Sequence, residues 1–146
     1  MEVSIVDAAG NPVTFPAVTV YKWKRDIAVG SAKSFTVPAA LRWIVSSIYL
    51  SYHCSATAGN RVPHVTFYDS SSNLIFDASW QINQPANQTY PYVAYPGSVT
   101  QQTNPPFSIA IPTAVLPAGY VVKVWDAAAI DPAADTATVS MSYGEF

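Results

Sequence analysis

Residues 41–54 read LRWIVSSIYLSYHC, the longest unbroken strand-like segment of the chain. In an extended strand successive side chains point to opposite faces. Ile44, Ser46, Ile48, Leu50 and Tyr52 then share one face, and Trp43, Val45, Ser47, Tyr49 and Ser51 share the other. Both faces mix large apolar groups with small hydroxyls. That pattern suits a central strand covered on one side and partly covered on the other.

The rest of the chain follows the same period. Val65–Asp69, the turn Ser70-Ser71-Ser72-Asn73 and Leu74–Trp80 form a hairpin signature, with Leu74, Phe76, Ala78 and Trp80 on one face. Phe107, Ile109 and Ile111 point inward from a strand that Pro112 ends, and Pro117 and Gly119 fit a turn. Tyr120–Asp126 reads as a buried strand, and Thr136–Tyr143 places Ala137, Val139, Met141 and Tyr143 inward. Near the start, Val3–Val6, Val13–Trp23 and Ser34–Val37 are strand-like. About eight to ten short strands at near-regular spacing, without a helix, predict an all-β antiparallel β-sandwich, a jelly roll or related Greek key. A single domain over residues 1–146 is expected, with 1–40 as an N-terminal arm or edge strands.

Composition agrees. The 146 residues include 17 Val, 9 Ile and 11 Thr against 4 Leu, 4 Lys and 2 Glu, which favours strands over helix surfaces. Half the residues are hydrophobic, so the chain is not globally disordered. Only 11% are charged and the net charge is −2, which argues against nucleic acid as a partner. So lightly charged a surface is expected to be hidden in an assembly. No run approaches the ~20 apolar residues of a membrane span, so no membrane partner is expected. Met1–Asp7 lacks the basic and apolar regions of a signal peptide, so a cytosolic product is expected.

Residues that could carry chemistry are few. Cys54 follows a strand and reads as a small apolar packing residue rather than a nucleophile. His53 and His64 lack partners at metal-ligand spacing and read as structural or surface residues. Asp126, Asp131 and Asp135 crowd one loop and could offer oxygens to calcium, but their spacing is not that of an EF-hand. The plainer reading is that Asp131-Pro132 forms a turn and Asp135 closes the loop. No catalytic residue, cofactor or metal is assigned, and the chain is expected not to be an enzyme.

Two segments suggest contact with a partner. In the first, Lys22, Lys24 and Arg25 form a basic cluster beside Tyr21 and Trp23 that reads as a solvated edge discouraging strand addition rather than an anion site. In the second, residues 81–106 carry Gln, Asn and five Pro, and only Tyr90–Tyr95 looks extended. Tyr90, Tyr92 and Tyr95 could present a docking or sugar-stacking platform, or could cover the open side of the sandwich. The candidate partner contacts are thus Tyr21, Trp23, Lys24, Arg25, Tyr90, Tyr92 and Tyr95. Replacing the three tyrosines with Ala is expected to spare the fold and weaken docking.

The motifs Gly59-Asn60-Arg61, Asn73-Leu74-Ile75, Ile109-Ala110-Ile111-Pro112, Leu116-Pro117-Ala118-Gly119-Tyr120 and Val124-Trp125-Asp126-Ala127-Ala128-Ala129-Ile130-Asp131, with Asp135, resemble a group of small structural proteins of tailed bacteriophages over roughly residues 41–142. The resemblance implies a non-enzymatic β-sandwich virion component. Decoration (cement) of the head is the first expectation, with the major capsid protein or other virion proteins as partners and a homo-oligomer, a trimer favoured. Neck or tail components, and a carbohydrate- or receptor-recognising module, are the alternatives. Localisation would be the virion, after synthesis in the cytoplasm of a bacterial host.

Overall fold

A computed structural model describes residues 19–100, 102 and 104–146. The expected strand Val3–Val6, and the part of Val13–Trp23 before residue 19, lie outside them. The described residues hold ten strands: β1 Val20–Asp26, β2 Lys33–Thr36, β3 Trp43–His53, β4 Pro63–Tyr68, β5 Leu74–Ser79, β6 Thr89–Pro96, β7 Phe107–Ile111, β8 Val115–Leu116, β9 Val121–Asp126 and β10 Thr136–Glu145. No described helix is long and apolar enough to cross a membrane.

The strands form two sheets. One runs β1-β10-β3-β6-β7, with β8 also on β3, and the other runs β2-β9-β4-β5. Four antiparallel pairs nest one inside the next: β4 with β5, β3 with β6, β2 with β9, and β1 with β10. A long hairpin rolled across two sheets gives this pairing, so the predicted sandwich is a jelly roll. β7 and β8 are additions between β6 and β9. β7 lies parallel to β6, an exception to the antiparallel expectation, and β8 pairs with Trp43 and Ile44 of β3.

The core lies between the sheets. Trp43 and Tyr143 rings meet at 4.3 Å, Trp80 and Tyr92 at 5.2 Å, and Tyr92 and Phe107 at 5.5 Å, close enough to favour tilted aromatic packing. The inward faces of β7 and β10 are those expected: Phe107, Ile109 and Ile111, and Ala137, Val139, Met141 and Tyr143. Cys54 is buried among them.

Two expectations of strict alternation are corrected. β10 pairs Ser142 with Ser47 but Tyr143 with Val45, so Ser46 is an extra residue in β3. This bulge switches the inward face: Trp43 and Val45 are buried on one side of it, Ile48, Leu50 and Tyr52 on the other, all facing the same core. Tyr49 is left pointing outward. In the β4–β5 hairpin Phe67 pairs with Phe76 and Tyr68 with Leu74, so Ile75 is skipped. Phe76 and Ala78 pack on the core as expected, but Leu74 is turned out to solvent beside Ile75.

Candidate functional site

The suspected contact residues divide according to the strand on which they sit. The segment containing Tyr90, Tyr92 and Tyr95 is β6, extended as expected and lying inside the six-stranded sheet. Tyr90, Tyr92 and Ala94 therefore point inward and Pro91, Val93 and Tyr95 outward. Tyr92 is fully buried, its hydroxyl donating to Gln84 Oε1 at 2.9 Å, and Tyr90 packs on Phe107 at 5.4 Å. Tyr92 is a core residue, Tyr90 is half-buried against the core, and Tyr95 points to the opposite, outer face, so the three tyrosines form no common platform.

β1 splits in the same way. Lys22 and Lys24 point to the inner side, where Lys22 pairs with Glu145 and Lys24 Nζ lies 4.6 Å from the centre of the Trp43 ring. Glu145 also accepts the Trp43 indole N–H at 3.0 Å, and these bonds hold its carboxyl below the usual range. Inward-pointing lysines are a known protection of a sheet edge, and the edge reading of this cluster fits their placement. Tyr21, Trp23 and Arg25 point outward, and the first two are 76% and 74% exposed. Among the described residues, five of the eleven exposed large hydrophobic residues, Val20, Tyr21, Trp23, Ile27 and Val29, fall in this one stretch.

The outer face of the six-stranded sheet continues from Tyr21 and Trp23. Trp23 lies across from Ser142, which lies across from Ser47, and the two serine hydroxyls are 2.6 Å apart. In the next row Arg25, Ser140, Tyr49, Val93 and Ser108 stand side by side, followed by Thr138, Ser51 and Pro91. Among these rows Arg25 is the single ionised side chain. Ser108 is buried, and the rest of these rows present hydroxyls and aromatic rings, which water can leave at far lower cost than it leaves a charged surface.

The acidic loop residues are elsewhere, at one end of the sandwich, where Asp135 pairs with a buried arginine, Arg61. Arg61 is fully buried and all five of its N–H donors are used. Nε and Nη2 donate to the two Asp135 oxygens at 2.8 and 3.0 Å. Nη1 donates to the carbonyls of Thr57 and Gly59 at 2.7 and 2.8 Å, and Nη2 also reaches Ser55 Oγ at 3.1 Å. Asp135 accepts the Ser55 backbone N–H at 2.7 Å as well. Burial pushes its carboxyl up, but Arg61 and the Ser55 bonds outweigh this and leave it below the ordinary range.

Asp131 takes the hydroxyls of Thr57 and Ser55 at 2.7 and 2.8 Å, which lowers its own carboxyl. Its carbonyl also accepts the Asp135 N–H at 2.8 Å, closing the loop as expected. Asp126 Oδ1 accepts the Val62 and Ala128 N–H groups, while its buried Oδ2 has no protein partner. Gln84 completes the cluster: its amide donates to the carbonyls of Tyr52 and Gln88, and its backbone pairs with Arg61. The three acids do not converge on a common point, and no metal-holding group of His, Cys, Asp and Glu occurs among the described residues. Burial raises the Cys54 thiol to about 11.

On the other sheet His64 Nδ1 lies 2.8 Å from Asp77 and its ring 5.6 Å from that of Trp125. His53 Nδ1 lies 2.9 Å from Thr89 Oγ1.

No protein-family model and no curated protein matches the chain. A chain in the structure of infectious bursal disease virus Gx strain is similar with a TM-score of 0.39 and 12% identity over 99% of this chain. This chain spans 37% of that one, and an overlap this loose carries no functional argument.

Proposed function

We propose that this chain is a non-enzymatic structural component of a virion, and within that class a capsid decoration protein of a tailed bacteriophage that binds the major capsid protein. The observation that carries the reading is the outer face of the six-stranded sheet, in whose central rows Arg25 is the one ionised side chain among the described residues, adjoined by the exposed hydrophobic residues Val20, Tyr21, Trp23, Ile27 and Val29. Such a surface gains by being covered, and repeated copies on a symmetric shell add weak contacts into firm attachment. The internal use of the polar groups supports the non-enzymatic part: Arg61, Asp131, Asp135 and Gln84 are spent on tying three loops together. The resemblance to small phage structural proteins supplies the class of particle.

The test is to incubate the full chain with heads of the phage that encodes it, prepared without it, and to count bound copies by cryo-electron microscopy. Copies distributed over the whole shell are expected. Copies confined to a single vertex would move the chain to the neck or tail, and absence from the particle would overturn the reading.

A second reading, recognition of carbohydrate, is favoured by Tyr21 and Trp23 standing exposed two residues apart on one strand, a spacing suited to stacking on sugar rings. Saturable binding of a neutral polysaccharide, lost on Trp23→Ala, is its expected signature.

A further inference from the structure

Two arginines border the outer face of the six-stranded sheet, towards opposite ends of its strands. Arg25 points outward from β1, across from Ser140 of β10. Arg42 directly precedes Trp43, whose side chain is buried, so Arg42 points outward. Its backbone exchanges hydrogen bonds of 3.0 and 3.2 Å with Phe146, just past the end of β10. The stretch of β10 from Ser140 to Phe146 therefore sets the two arginines roughly 20 Å apart along the strands. Both are exposed, and neither forms an ion pair with a described residue. Among the described residues, the outward positions of β1, β10, β3, β6 and β7 hold no Asp or Glu. Asp26 and Glu145 are turned inward, towards Lys33 and Lys22.

From this one-sided placement we infer that the face docks on an acidic protein surface, with carboxylates of the shell protein opposite Arg25 and Arg42. The inference rests on the reading of the chain as a capsid decoration protein and names the chemistry of the surface it binds. Covering the face strips water from two guanidinium groups, and that cost is offset only where the partner brings charged acceptors. A guanidinium fork matches a carboxylate through two parallel hydrogen bonds. Two cations are too few for nucleic acid, whose affinity comes from many phosphate contacts. Tyr21, Trp23 and Tyr49 supply exposed area beside and between the arginines. The two charged contacts, so far apart, set the register and direction of docking more than its strength. The whole chain carries a net charge of −2, so an acidic shell repels the rest of it and draws this face inward.

Binding of the full chain to heads prepared without it, measured against salt, tests the inference. Affinity is expected to fall at least ~10-fold between about 50 and about 500 mM NaCl. Arg25→Glu and Arg42→Glu are each expected to bind at least ~10-fold more weakly at the lower salt, with circular dichroism unchanged. Lys123→Glu, on the other sheet, is expected to bind like the wild type, and polyglutamate to compete for the face. Salt-independent binding, or charge-reversed chains that bind as tightly as the wild type, would overturn the inference and leave the virion reading standing. Displacement by polygalacturonate but not by polyglutamate would also overturn it, in favour of carbohydrate. Heads that take up no wild-type chain would sink both.

Discussion

Arg61 sits at a position that reads in sequence as part of a polar turn, Gly59-Asn60-Arg61, and that reading is correct for the backbone. Its burial was not legible there, because its partner Asp135 is distant in sequence and only the fold joins them. Removing one member of such a pair strands the other in the core, so Arg61→Met is expected to cost ~3–5 kcal/mol in urea unfolding. The Asp135 carboxyl titrates lower when folded than when unfolded, so its contribution is complete above the unfolded value and declines as pH falls through the folded one. Unfolding midpoints should therefore drop as pH falls below about 4, more steeply than in a variant carrying Asp135→Asn. The β6 tyrosines separate at the same scale. Tyr92→Ala is expected to cost ~3–5 kcal/mol, while Tyr95→Ala stays within ~0.5 kcal/mol in the same assay.

Alternation located nearly every strand of the described residues, because half-buried strands repeat with period two and turn residues end them. It failed where a strand carries one residue too many. Nothing in the local composition of Ser46-Ser47 announces a bulge; it shows only in the pairing with β10, which skips Ser46 between the half of β3 that β8 also pairs and the half beside β6. Deleting Ser46 would turn Trp43 and Val45 away from the core, and the expected loss is about 4 kcal/mol or more in thermal or urea unfolding. The parallel pairing of β7 was hidden for a related reason: strand signals carry no direction. Within the Pro-rich course of residues 81–106 the extended stretch Tyr90–Tyr95 was legible and is β6, but its place inside the sheet was not; Pro91 and Pro96 both lie within the strand, Pro91 on the outward face.

Across the whole molecule, the scarcity of charge proved informative, and the structure shows how it is distributed. Among the described residues, ionised groups gather at the sandwich end around Arg61, along the inner side of β1 and on the β4–β9 sheet, while the central rows of the opposite broad face carry only Arg25. That the sequence contained such a face was legible from its low charge. Which residues form it was not, because Tyr21, Tyr49 and Tyr95 come onto one face only when β1, β10, β3 and β6 are laid side by side. The central claim, that this face is covered by protein in the working state, is tested most directly by hydroxyl-radical footprinting of the dilute chain and of its assembled form. The account predicts that Tyr21, Trp23 and Tyr49 become protected on assembly while Trp125, on the other sheet, keeps its reactivity. Unchanged labelling of Tyr21, Trp23 and Tyr49 in the assembled form would contradict it.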